Sequence, residues 1–167
     1  NDSRITADEL VKAFERGATK SGADVCYTGL SSTPSMFMIL KSPARRLDGS
    51  VMITASHLPA DRNGLKFFVP EGGLEGSDVD EILEIAERAD FCEGEGTLCS
   101  DSFMDEYSAL LADRVRSACG SQKPLSGMKI IVDAGNGAGG FFTEKVLKPL
   151  GADTTGSLYL DPDGMFP

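Results

Sequence analysis

Apolar residues along this chain recur with two periods, and the switches between them mark out its elements. Leu10, Val11, Phe14 and Ala18 fall at the spacing of one helix face. Thr6 and Glu9 precede them at capping-box spacing, and Gly22 suits the stop. Residues 24–30 read as a strand that enters a turn at Ser31-Ser32. Thr33-Pro34 opens a short apolar helix, since proline is tolerated in a first turn, and Pro43 ends it. Residues 51–54 and 65–69 read as strands. Ser77 is placed to cap a helix that carries Val79, Ile82, Leu83, Ile85 and Ala86 on one side.

Residues 90–101 break the pattern. Their Glu93-Gly94-Glu95-Gly96 centre is polar and rich in glycine, which predicts a surface loop. A longer helix follows over 103–118, with Tyr107, Leu110, Leu111 and Val115 on its stripe. Residues 120–127 are rich in Gly, Ser and Pro. Beyond them come a strand over 128–133, a glycine loop over 135–140, a helix over 141–150 and a strand over 154–160. Strands alternating with helices predict layered α/β domains. The composition shift divides the chain into residues 1–115, a linker at 116–127, and a second unit at 128–167.

The apolar fraction of 41% is ordinary for a globular protein, and 167 residues suit one domain or parts of two. The 16 basic and 26 acidic residues give a net charge of −10, which argues against a nucleic-acid surface. A site for an anionic ligand must therefore be locally basic; Arg4, Arg62, Lys66 and the Arg45-Arg46 pair are candidates. No run approaches the ~18 apolar residues of a membrane span, and no signal or transit segment opens the chain. Both ends look cut, so the native protein's targeting stays open. Four cysteines, at 26, 92, 99 and 119, form no C-x-x-C pair, and the single histidine does not complete a usual zinc set. Reduced thiols are the default, with a Cys92–Cys99 disulfide across the glycine-rich loop as the regulatory alternative.

The chemistry concentrates in Thr54-Ala55-Ser56-His57-Leu58-Pro59 and Asn63-Gly64-Leu65-Lys66. An apolar strand delivers a hydroxyl, the only histidine, and a proline that halts regular structure. A strand ending in a small-residue loop can hold one side chain out as a nucleophile or a carrier. Taken singly, a serine there is a common turn residue and a lone histidine is usually packed or solvated. Taken together at this spacing, the residues resemble the phosphoserine loop of the α-D-phosphohexomutases, the phosphoglucomutase/phosphomannomutase superfamily. Leu58 departs from the asparagine often found there.

That resemblance implies an intramolecular phosphotransferase that interconverts hexose 1-phosphate and hexose 6-phosphate through a bound hexose bisphosphate. It implies that Ser56 carries the phosphoryl group, with Mg²⁺ held through the Ser56 phosphate. Lys66 and His57 would be catalytic and contact phosphate, and Arg4 would bind phosphate or substrate. The likeness runs along the chain. It includes Asp2-Ser3-Arg4, residues 29–34, Val132-Asp133-Ala134-Gly135-Asn136-Gly137-Ala138-Gly139 and Asp161-Pro162-Asp163-Gly164-Met165-Phe166-Pro167. It implies most of the first domain and the start of the second in a four-domain α/β architecture with mixed sheets. The metal, sugar-specificity and phosphate-clamp loops lie outside, so these residues alone are expected to be inactive. The combination of the serine loop with Phe67-Phe68, Gly139-Gly140-Phe141-Phe142 and Asp163-Gly164-Met165-Phe166-Pro167 is most similar to a plant and algal plastid branch. That implies the plastid stroma, with the cytoplasm as the alternative.

Two other readings compete. The segment could be a non-catalytic, mutase-like structural or binding subunit of a larger assembly. Alternatively, Gly135-Asn136-Gly137-Ala138-Gly139-Gly140 matches the dinucleotide pattern G-x-G-x-x-G, with a strand before it, a helix after it and Asp161 about twenty residues on.

Overall fold

The computed structural model describes residues 1–167. In chain order its elements are α1 (Ala7–Lys20), β1 (Val25–Tyr27), α2 (Thr33–Met38), β2 (Ser50–Ile53), β3 (Leu65–Val69), β4 (Gly72–Gly73), α3 (Gly76–Arg88), β5 (Leu98–Ser100) and α4 (Met104–Cys119). The strands form a mixed arrangement. β1 pairs in parallel with β5, while β2, β3 and β4 form an antiparallel meander. No helix is long and apolar enough to cross a membrane.

The packing follows the apolar stripes. Ala7 and Val11 of α1 pack on Ile53 of β2. Ile39 and Leu40, in a 3₁₀ turn continuing α2, pack on Phe103 and Tyr107 of α4. Farther along α4, Ala112 meets Val146 and Leu150. α2 owes its start to a reciprocal cap. Ser35 N–H donates to Ser32 Oγ at 3.3 Å, and Ser32 N–H donates to Ser35 Oγ at 3.0 Å, with Pro34 in the first turn.

Several local expectations change. Thr6 sits at the head of α1, but its side chain does not cap; its Oγ1 accepts from Asn63 Nδ2 at 3.1 Å. α3 is capped through Asp78 rather than Ser77: Asp78 Oδ2 accepts from Glu75 N–H at 2.8 Å, and Asp78 N–H donates to the Glu75 carbonyl. None of the residues of α3 is buried, and Leu83 remains 55% exposed. The glycine-rich stretch over 90–101 is not wholly loop. Gly94 N–H and Gly96 N–H donate to the carbonyls of Lys20 and Thr19, which draws Leu98–Ser100 into line with β1. At Gly96 a Cβ would lie 2.0 Å from the Ala23 carbonyl oxygen, so this approach needs glycine.

Beyond residue 120 the expected strands pair in parallel only through single bridges, Lys129 with Asp153 and Asp133 with Leu158. The expected helix over 141–150 is a wide π turn, Phe142–Leu147, flanked by 3₁₀ turns. Pro149 cannot donate to the carbonyl four residues earlier and its ring crowds that carbonyl, so the α pattern cannot run through.

Candidate active site

Met52, Ile53, Thr54 and Ala55 are all buried, and the chain then surfaces at Ser56, His57 and Leu58. Ser56 adopts φ +53°, in the left-handed region. For a side chain with a Cβ this costs about 1–2 kcal/mol, so the surroundings must hold it there. They do so from three sides. Ser56 N–H donates to Thr54 Oγ1 at 3.1 Å, and Lys66 Nζ donates to Ser56 Oγ at 2.8 Å. Arg4 Nη2 donates to the Ser56 carbonyl at 2.8 Å.

Arg4 is the organising group. It is buried, at 2% exposure, and all five of its side-chain N–H donors are used. Nε donates to Asp2 Oδ2 at 3.2 Å. Nη1 donates to the carbonyls of Pro59 and Arg62, and Nη2 to those of Ser56 and Leu58, at 2.5–3.0 Å. A buried guanidinium is tolerable only when paired and fully hydrogen-bonded, and this one is both. Asp2 closes the network by accepting from Arg4 N–H at 3.1 Å and from Thr54 Oγ1 at 2.6 Å. The Phe166 ring lies 4.9 Å from the Arg4 guanidinium carbon. The phosphate-binding role expected of Arg4 therefore gives way to another. It clamps the loop from beneath and has no donor left for an anion.

Lys66 reaches Ser56 because of the hairpin. β2 and β3 are antiparallel, with Met52 opposite Lys66, and Thr54 N–H donates to the Gly64 carbonyl at 2.9 Å. The Asn63-Gly64 turn carries the chain back: Asn63 Oδ1 accepts from Gly64 N–H, and a Cβ on Gly64 would press to 3.3 Å from the Thr54 carbonyl oxygen. Serine and lysine, ten residues apart in sequence, thus meet at hydrogen-bond distance.

The other candidates scatter. His57 is exposed beside Ser56 and makes no side-chain hydrogen bond. Arg62 contributes its carbonyl to Arg4. Arg45 is engaged elsewhere. It donates to Asp101 and Glu106, both at 2.6 Å, lies over Phe103, and has its pKa raised chiefly by those carboxylates. Sequence reasoning missed Asp2 and Thr54. The signal for Thr54 was a hydroxyl two residues before the serine, suited to an N–H bond of this kind. No group of three His, Cys, Asp or Glu side chains could hold a metal ion. A Mg²⁺ could draw on a single oxygen at Ser56, once phosphorylated, and would take its remaining ligands from outside these residues.

A cleft of about 840 Å³ is lined by Val11, Phe14, Tyr27, Ile53 and Phe68, and does not include Ser56, His57 or Lys66. The glycine loop spends three of its N–H groups internally. Gly135 N–H donates to Asp133 Oδ1, Asn136 N–H to the Tyr159 carbonyl and Gly137 N–H to the Ala134 carbonyl. A Cβ on Gly140 would sit 2.0 Å from the Leu160 carbonyl oxygen. Gly140 serves close packing, and the loop leads into a π turn rather than the regular α-helix whose N-terminus a dinucleotide site uses.

An exposed hydroxyl held in a strained loop, with an ammonium on its oxygen, can carry an anionic group whose charge the lysine offsets. Residues 1–93 match the family described as phosphoglucomutase/phosphomannomutase, alpha/beta/alpha domain I. The chain is 35% identical to a phosphoglucomutase of Neisseria meningitidis, an alignment that covers 99% of this chain and 34% of that protein. It is 33% identical to a phosphoglucosamine mutase of Erwinia tasmaniensis, over 98% of this chain and 36% of that protein. A crystal structure of a phosphoglucomutase/phosphomannomutase family protein from Burkholderia thailandensis superposes with a TM-score of 0.83. It shares 29% identity, over 99% of this chain and 36% of that one. The chain spans roughly a third of the length of the curated relatives it matches.

Proposed function

This chain belongs to the phosphoglucomutase/phosphomannomutase family, and from that premise we propose that Ser56 is the phosphoryl carrier of a hexose-phosphate mutase. The observation that carries this reading is the 2.8 Å bond from Lys66 Nζ to the exposed Ser56 Oγ. The whole protein would interconvert hexose 1-phosphate and hexose 6-phosphate through a bound bisphosphate. The relatives are named for glucose and glucosamine phosphates, which supports the hexose-phosphate class rather than one sugar.

Each residue has a part. Phosphoryl transfer depends mainly on positioning and on stabilising charge. Phosphorylated Ser56 gives its phosphoryl group to the free hydroxyl of the sugar phosphate, and Ser56 Oγ then takes the other phosphoryl group from the bound bisphosphate. Lys66 lies on that oxygen; its ammonium offsets charge as the bond forms and breaks, and can pass a proton to the departing hydroxyl. His57, free beside the serine, is placed to meet the phosphate from the solvent side. Arg4, Asp2 and Thr54 position the loop without touching substrate. When bound, Mg²⁺ supplies charge neutralisation at the phosphoryl oxygens.

Phosphopeptide mapping of the full-length protein should find phosphate on Ser56, and Ser56→Ala should abolish Mg²⁺-dependent turnover. Turnover that survived Ser56→Ala would remove this reading. The 167 residues alone should show no turnover in a coupled glucose 1-phosphate assay.

A further inference from the structure

The edge of the parallel pair holds a chemistry that the phosphoryl site does not use. Cys26 is the central residue of β1, and Cys99 the central residue of β5. The two are direct partners in the register of the ladder. Residues paired in this way project their side chains to the same face of the sheet. Neighbouring strands lie ~4.8 Å apart, inside the Cα separation of about 4.4–6.8 Å that a disulfide spans. Both side chains line the same cleft. Cys99 is exposed and Cys26 half-buried.

Cys92, the partner suggested by sequence proximity, is held off. Between it and Cys99, Gly94, Gly96 and Thr97 are bonded to Lys20, Thr19 and Val25, which keeps the intervening chain drawn out along α1 and β1. A drawn-out chain cannot fold Cys92 back onto Cys99 without breaking those bonds.

We propose that Cys26 and Cys99 form a reversible cross-strand disulfide that ties the edge strand β5 to β1. The oxidant is a small disulfide such as oxidised glutathione. Exposed Cys99 loses its proton and attacks one sulfur of the oxidant, which releases one glutathione thiol and leaves glutathione on Cys99. Cys26 then loses its proton and attacks Cys99 Sγ, which releases the second glutathione thiol. The protein loses two hydrogens and the oxidant gains them. Burial, then the facing Cys99, pushes the Cys26 thiol up to about 11, which suits the slower, resolving position. A disulfide between directly opposed residues beside solvent is readily reduced, so the link responds to the thiol poise around it.

The test is peptide mapping after exposure of the folded protein to oxidised glutathione and alkylation of the remaining thiols. Trypsin with a glutamate-specific protease cuts after Arg88 and Glu95, and so parts Cys92 from Cys99. The expected product joins the Cys26 and Cys99 peptides and persists in Cys92→Ser. In Cys26→Ser it is lost, and glutathione stays on Cys99. In urea the selectivity should disappear in favour of Cys92–Cys99, the shorter loop in an open chain. A Cys92–Cys99 link in the folded protein would overturn the proposal. So would stable glutathione on Cys99 beside an unreacted Cys26, or four unreacted thiols.

Discussion

Two loops of this molecule begin alike and end as opposites. Each follows an extended segment, and each places a non-glycine residue in the left-handed region, Ser56 at φ +53° and Asn136 at φ +52°. At the glycine loop the polar groups turn inward. Asn136 spends its N–H on Tyr159, its side-chain amide on the Asp161 carbonyl, and its carbonyl on Ser3 Oγ. At the serine loop a separate buried group, Arg4, takes the carbonyls. The Ser56 hydroxyl is thereby left at the surface with Lys66. A strained loop becomes a site when something else satisfies its backbone and leaves a side chain spare. The two are tied together, since Ser3, which donates to Asn136, adjoins Arg4.

The largest break in this comparison should come from Arg4→Met. It strands Asp2 and four carbonyls in a buried place, and removing one partner of a buried ion pair costs about 3–5 kcal/mol. Urea denaturation should register that loss, with hydrogen exchange quickening over residues 56–62. An unchanged midpoint would mean that the loop holds itself.

Gly140→Ala tests the other loop. Its Cβ would meet the Leu160 carbonyl oxygen at 2.0 Å, and forced overpacking costs about 1–3 kcal/mol. Thermal melting should fall, with exchange at residues 56–62 little altered. If the serine loop loosened equally, the two loops would be one cooperative unit.

A smaller effect of opposite sign is expected at Ser56→Gly. Glycine relieves the left-handed strain, offset by its greater freedom when unfolded, for a net gain of about 0.5–1 kcal/mol alongside lost phosphoryl capacity. Asn136→Gly should gain less, because it also gives up the bond to Asp161. Equal gains would show that the Asn136 side chain contributes nothing to stability.

The smallest expected effect is with pH. Asp153 is held below the usual carboxylate range by hydrogen bonds from Thr155 and by nearby Lys129. A depressed folded pKa means its contribution is present above the unfolded value and is lost as pH falls through the folded one. An NMR titration below about pH 4 should show the Thr155 amide moving with the Asp153 carboxyl. A Thr155 amide that ignored the titration would exclude the bond.

Much of the architecture was legible along the chain because it rests on near-neighbour rules. The spacing of Leu10, Val11 and Phe14 specified α1, and Thr33-Pro34 specified the start of α2. The run over 65–69 matched β3 residue for residue. The failures came where distant groups competed. Thr6 was drawn from its cap by Asn63, fifty-seven residues on. β5 formed in a polar stretch with no strand periodicity, because Lys20 and Thr19 offered carbonyls to the glycines that precede it, Gly94 and Gly96. The apolar stripe of α3 was read correctly as a stripe, but none of its residues is buried.

For the candidate site, residue types and spacing alone established that Ser56 ends a buried strand and that an Asn-Gly turn returns Lys66 toward it, since hairpin geometry is local. Sequence alone also set the charge balance that requires any anion site to be built from a few cations. Tertiary structure decided which cations those are. It sank Arg4 beneath the loop, drew Arg45 to Asp101 and left Lys66 on the serine. It also set Cys99 beside Cys26 instead of Cys92. Those outcomes depend on which partners are buried together, and burial is a property of the packed chain that spacing along it does not carry.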